Sequence, residues 1–304
     1  LKFMIIYSRL GKKGNLGNQL FQIASTIGIA IKNGQEFSFP EWTYSKNFDV
    51  KFPVYDERLI YEDLKELSYH YSTLKLEDKN YDLNGWFQSE KYFEIEVIKK
   101  YFKFRTELVN EVKEKYKKVL LKKSVLISVR RGDFIHNPYY FQLDYKYYFL
   151  AIITQFPDWK ERNLIFTSDD IDYCKKHFKF LSNAIFISKS DIIEQLVLGS
   201  LCDDFIISNS TFSWWQAWLG EKTTTKIIRP IHNFRGNFKI ENNDKDYFPE
   251  RWISFDSSSK RIEYKYGVLV LKGEYFKFLD LIKYTNKVYK KKLKKFIKKI
   301  IKKD

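Results

Sequence analysis

A chain of 304 residues with 44% hydrophobic and 18% aromatic residues has material for one large or two ordinary domains around a real core, which excludes an intrinsically disordered chain. Two cysteines, Cys174 and Cys202, without CxxC spacing, exclude a disulfide framework and a zinc knuckle and fit a reducing compartment. The formal charge of +16 is not a nucleic-acid signature, because 13 lysines against three acids from residue 272 onward carry +10 of it and make the basicity a property of the tail.

Residues 3–7 read as a strand, and the apolar run ends at Ser8 and Arg9, too short for a signal peptide or a spanning helix; a cytoplasmic protein is the expectation. A glycine-bearing turn over 8–15 leads to residues 16–32, where Leu20, Phe21, Ala24, Ile27 and Ile31 recur at helical spacing. Strand, glycine turn and helix suggest a nucleotide-binding unit, but the spacing is not GxGxxG. Asn15, Asn18 and Gln19 therefore have two readings: an acceptor-binding or closure loop, or plain capping by Asn15 or Asn18. Residues 35–39 read as a second strand, and the irregular stretch 41–81 as containing short helical pieces at 56–67. Residues 81–88 read as a strand and turn with Trp86 and Phe87 at the tip and Gln88 after them, suited to covering a sugar face or to packing. Helices follow over 92–100 and 107–121.

From residue 125 the beat is regular. Strands at 125–129, 163–167, 184–187, 205–208 and 226–228 alternate with helices at 145–155, 171–177, 191–201 and 211–219, the pattern of a parallel sheet covered on both faces. The division that results is 1–115, 116–262 and 263–304, the last a basic amphipathic helical region. In residues 275–303 Phe276, Leu279, Ile282, Tyr289, Leu293, Phe296, Ile297, Ile300 and Ile301 form an apolar stripe among lysines, which suits an anionic membrane surface or packing on the body.

Polar clusters gather at three strand ends. Arg130, Arg131 and Asp133 follow the first strand of the second half, Thr167, Ser168, Asp169 and Asp170 the next, and Ser208, Asn209, Ser210, Thr211 and Ser213 another. Open α/β sheets bind ligands at such carboxyl ends, and paired arginines with a helix amino terminus suit a phosphate or pyrophosphate. Arg130 also has the bland reading of closing a turn onto Asp133. An adjacent pair such as Asp169 and Asp170 does not send both carboxylates one way, so helix capping and a ribose or base contact outweigh a metal. His136 sits in a loop, 134–140, able to act as a lid.

Four stretches carry a resemblance: GNLGNQLFQIA (14–24), SVRRGDF (128–134), TSDD (167–170) and CDDFIISNSTFSWWQAWL (202–219). Together they resemble the bacterial alpha-1,2-fucosyltransferase family over residues 2–230, and the strand-end arginines are shared with alpha-1,6 and protein O-fucosyltransferases. The resemblance implies a GT-B-like fold of two Rossmann-type domains with a deep cleft, the GDP-fucose donor in the second and the glycan acceptor towards the first. It also implies inverting transfer with no metal ion and no bound cofactor. Arg130 takes the pyrophosphate-binding place and Arg131 the supporting one; Ser210 and Thr211 fall where the last motif meets the donor phosphates. Ser128 stands where the family usually has histidine, which leaves open another sugar nucleotide as donor. For the base, Asp133, Glu194 and an acid of the first domain all remain open. A nonenzymatic nucleic-acid or membrane-binding protein is the third reading; against nucleic acid stands the separation of lysines from aromatics.

Overall fold

Each half of the chain opens with a short apolar run, too short for a helix, that becomes a central strand of a parallel sheet. The structure, a computed structural model, describes residues 3–56 and 58–301, with side chains to residue 294. In the first lobe β1 (Met4–Ile6), β2 (Glu36–Ser38), β3 (Glu62–Lys65) and β4 (Tyr81–Asn84) form a four-stranded sheet in the order β2-β1-β4-β3. Helix α1 (Leu16–Lys32) follows β1, and α2 (Ile95–Tyr101), α3 (Thr106–Lys115) and α4 (Lys117–Leu120) lead to the second lobe. There β5 (Ser124–Val129), α5 (Tyr145–Gln155), β6 (Asn163–Ser168), α6 (Ile171–Phe178), β7 (Ala184–Phe186), α7 (Ile192–Leu201), β8 (Asp204–Ile207), α8 (Thr211–Gly220), β9 (Ile227–Pro230), α9 (Gly236–Glu241) and β10 (Ile253–Phe255) alternate before the long α10 (Gly267–Ile301). The six strands lie in the order β10-β9-β8-β5-β6-β7, all pairs parallel. That order reverses between β5 and β8, and in the smaller sheet it reverses between β1 and β4; ligand crevices form at such reversals.

The lobes share one core. Trp214, Trp215 and Trp218 of α8 are fully buried, and they meet Phe21 of α1 and Phe93 and Phe102 beside α2, with ring centroids 4.5–6.1 Å apart. A shared aromatic core of this kind makes the lobes one packed body, each ring pair adding about 0.5–1.5 kcal/mol beyond its buried area. A second core fills the other face of the large sheet, where Val125, Ile127 and Val129 pack against α5 and α6 and receive Leu269 of α10.

Three sequence expectations change. The helical pieces expected at 56–67 are the strand β3, a charged edge strand whose sequence EDLK buries little, so it carries no apolar alternation to read. The helix expected over 107–121 is broken at Tyr116 into α3 and α4, and α3 packs on α7 of the second lobe. In α10 the expected apolar stripe divides: Phe276 turns inward against His177, with ring centroids 5.3 Å apart, Leu279 is half-buried, and Ile282, Tyr289 and Leu293 are exposed on a face shared with Leu271, Tyr275 and Phe278. Phe296, Ile297, Ile300 and Ile301 of that stripe have side chains outside the described residues, as do residues 302–304 entirely.

Candidate active site

β5 is buried along all six residues because its apolar side chains face helices on both sides, and the buried strand delivers Arg130 to the point where the strand order reverses. The guanidinium is 27% exposed and shared by two carboxylates: Asp133 Oδ1 accepts from Nε at 3.1 Å and Nη2 at 2.5 Å, and Asp169 Oδ2 lies 3.3 Å from Nη1. Its carbon stands 5.5 Å from the Phe134 ring centroid. Arg130, Asp133 and Asp169 line an interlobe cleft of about 540 Å³ that also reaches Asn15, Asn18, Gln19, Trp86, Gln88, Ser128, Asn209, Ser210 and Thr211.

Opposite the arginine the amino termini of α1 and α8 meet. Ser210 caps α8, its hydroxyl accepting the Phe212 N–H at 3.3 Å. Thr211 donates its hydroxyl to Asn18 Oδ1 at 3.0 Å, and Gln88 Nε2 donates to the same oxygen at 2.8 Å. Tyr69 donates to Gln88 Oε1 at 2.8 Å and accepts from Asn233 Nδ2 at 2.8 Å, so one hydrogen-bonded chain ties the lobes along the cleft floor. Only glycine at 17 allows this approach: a Cβ there would lie 2.5 Å from the Phe212 amide nitrogen. Asn15 occupies the N-cap place of α1 without a side-chain cap bond, and Asn18 bridges the lobes instead of capping. Two helix amino termini facing one crevice favour an anion through their free N–H groups.

The first-lobe wall is built from the turn after β4. Trp86 is 36% exposed in the cleft while Phe87 is buried at φ +49°, and Lys13 Nζ sits 4.6 Å above the Trp86 ring. Glu66 fixes this turn by accepting the backbone N–H groups of Trp86 at 2.6 Å and Phe87 at 2.8 Å; burial pushes its carboxyl up and the Lys13 ammonium down. Gln19 accepts from Trp42 Nε1 at 2.8 Å and donates to the Gly14 carbonyl at 3.0 Å, which fixes the turn before α1. Glu66, Tyr69 and Asn233 escaped the sequence reading: Glu66 and Tyr69 lie in the irregular stretch 41–81, Asn233 in the irregular chain after β9, and no motif marks any of them.

The other expected residues divide between the cleft wall and positions away from it. Arg131 does not line the cleft; it is buried, stacked on Tyr173 with its guanidinium carbon 3.5 Å from the ring centroid, and paired with Asp170 at 3.3 Å and Asp280 of α10 at 2.5 Å. Asp170 caps α6 by accepting the Tyr173 N–H at 3.1 Å and also lies off the cleft. Asp169 accepts the Arg131 backbone N–H at 2.9 Å, so the two neighbouring carboxylates diverge, each towards an arginine. Ser128 reaches the cleft wall, but its hydroxyl is taken by Gln216 Oε1 at 2.6 Å and Ser213 Oγ at 2.7 Å. Asn209 donates both amide hydrogens to backbone, to the carbonyls of Asn233 at 2.8 Å and Phe141 at 3.2 Å. Glu194 is outside the main cleft, bound to Lys115 at 2.7 Å and to the Tyr116 hydroxyl, which removes it from reach of the donor side. His136 stacks on Tyr284 of α10, centroids 4.3 Å apart, and is not in the cleft.

The chain is similar to known proteins in sequence and in fold. The chain is 27% identical over 300 residues to the alpha-1,2-colitosyltransferase of Escherichia coli, covering 83% of this chain and 99% of that protein. It is 26% identical over 303 residues to the galactoside 2-alpha-L-fucosyltransferase of Caenorhabditis elegans, covering 79% of this chain and 74% of that protein. In fold it is similar to NodZ alpha-1,6-fucosyltransferase co-crystallized with GDP, with a TM-score of 0.50, 13% identity, and 71% of this chain and 92% of that one covered. Residues 11–256, which hold both sheets except the start of the first and every strand end described above, match the family Glycosyl transferase family 11, and the chain belongs to that family.

Proposed function

We propose that this glycosyltransferase transfers L-fucose from GDP-fucose, with inversion, to O2 of a galactose-type residue of a glycan acceptor in surface polysaccharide or oligosaccharide synthesis. The observation that carries the reading is Arg130, held at the reversal between β5 and β8 and facing the paired amino termini of α1 and α8. The donor diphosphate takes the place between them. As the bond from the anomeric carbon to the phosphate oxygen breaks, the electron pair leaves with GDP, and Arg130 meets the growing charge; this contribution rises in the transition state and therefore acts on turnover. The acceptor O2 attacks the opposite face of the anomeric carbon from the Trp86 side, and we assign its proton to Asp133, which is exposed in the same cleft. We propose that the step needs no metal or bound cofactor, since the arginine and helix termini supply the positive charge at the leaving group; undiminished transfer in the presence of a chelator is the expected result.

The decisive experiment is thermal stability against GDP, UDP, CDP and ADP, with and without Arg130→Ala. Stabilisation by GDP alone, abolished in the variant, supports the reading; equal responses to all four nucleotides overturn it. A second donor is favoured by one observation: Ser128, closed into hydroxyl contacts with Ser213 and Gln216, in a chain similar over 83% of its length to a colitosyltransferase. Comparing GDP-fucose with GDP-colitose by product mass decides between the two sugars.

Among the described residues no helix is long and apolar enough to cross a membrane. We infer peripheral attachment instead. Leu271, Tyr275, Phe278, Ile282, Tyr289 and Leu293 recur at spacings of three, four and seven on the outward face of α10, with Lys272, Lys283 and Lys290 flanking them, a pattern suited to an anionic bilayer surface. Loss of sedimentation with anionic vesicles on Phe278→Glu, with neutral vesicles bound by neither protein, is the expected outcome.

A further inference from the structure

α10 begins beyond residue 256, where the family match ends, yet it returns to the loop that follows Arg130. Its inward face is spaced 273, 276, 280 and 284, opposite the exposed stripe. Gly273 is pressed against Tyr145, where a Cβ would lie 2.2 Å from the ring, and Glu274 accepts from the Tyr145 hydroxyl at 3.1 Å. Lys277 reaches Asp144 at 3.4 Å. One turn on, Asp280 accepts from Arg131 Nη2 at 2.5 Å, and Tyr284 covers the His136 ring. Arg131 and His136 bracket the loop that follows Arg130. Within that loop the carbonyl of Arg131 accepts the N–H groups of Phe134 at 2.8 Å and Ile135 at 2.9 Å, so a shift of Arg131 moves the turn as a unit.

We propose that Asp280 is a positioning residue for the donor site: by holding Arg131 against Tyr173, it fixes the turn 131–135 and so aims Arg130 into the cleft. Arg131 itself contributes as a strut. The Arg131 side chain is 9% exposed and that of Asp280 34%, so the pair is partly shielded from water, and Arg131 is anchored at the same time by Asp170 and the Tyr173 ring; a misplacement of about 1 Å at a site built on orientation costs rate out of proportion to its size. The inference rests on Arg130 as the donor-diphosphate ligand.

The test measures transfer kinetics at varied donor, varied acceptor and direct GDP affinity for the full chain, Asp280→Asn, Asp280→Glu and Arg130→Ala. Asp280→Asn is expected to raise donor KM and the GDP dissociation constant by roughly threefold to thirtyfold, leave acceptor KM alone, and melt like the parent. Asp280→Glu, which keeps the carboxylate, restores most of the donor affinity. Unchanged or tighter donor binding in Asp280→Asn, with Arg130→Ala still defective, overturns the proposal: it means that Arg131 is released to meet the donor directly or that α10 merely packs. GDP binding intact in Arg130→Ala overturns the donor-site reading itself, and with it this inference.

Discussion

The large sheet carries an arginine–aspartate cluster at each end, and the two clusters place the same chemistry in opposite surroundings. At the amino ends of its strands Arg162 is enclosed: it pairs with Asp158 at 2.7 Å and with Asp204, which also accepts the Lys226 N–H at 2.6 Å, and both Arg162 and Asp204 are less than 9% exposed. At the carboxyl ends Arg130 pairs with Asp133 and Asp169 but is 27% exposed to a cleft, and Asp133 is 63% exposed. The enclosed cluster has its partners complete and can only hold strands together. The open one keeps part of its donor fork facing a space that an anion can enter. Burial, not residue type, separates the enclosed ion pair from the one open to a ligand.

The strongest way to sharpen that contrast is Arg162→Ala, which strands the Asp204 carboxylate in the interior and should cost about 3–5 kcal/mol of stability. Denaturant unfolding reads the loss, and the folded fraction should turn over normally. Arg130→Ala should do the reverse, with turnover falling by about 10²- to 10³-fold and the melting curve close to the parent; a melting loss as large as that of Arg162→Ala would break the comparison. Gly17→Ala tests the wall that faces Arg130: its Cβ meets backbone of α8, which cannot rotate away, so about 1–3 kcal/mol of destabilisation is expected, accompanied by a higher donor KM. Trp86→Ala should have the smallest effect, a rise in acceptor KM of about twofold to tenfold with donor KM and stability unchanged, read from initial rates at fixed donor.

Much of this was legible before any fold was known. The bounds of α1 and α5 coincide with their periodicity, and the strands of the second half fall within a residue or two of their apolar runs. Arg130, Ser210 and Thr211 could be named as strand-end and helix-start residues because local pattern locates them. What local pattern does not carry is direction. Arg130 and Arg131 are adjacent, and neighbours along an extended segment point to opposite sides, so one faces the cleft and the other faces α10. The same holds for Asp169 and Asp170, where one steadies the Arg130 turn and the other caps α6.

The sequence by itself therefore determined the alternation of strands and helices, the strand ends at which charge collects, and the confinement of excess lysine to the tail, because each is written within a dozen residues by periodicity, capping and composition. Tertiary structure alone decided that Arg131 turns away from the cleft towards α10, that Asn18 joins Thr211 across 193 positions, and that Asp280 reaches back 149 positions to Arg131. Those contacts exist because the sheets reverse their strand order at the cleft and because a glycine lets two helix ends touch, and no local property of the chain records either fact.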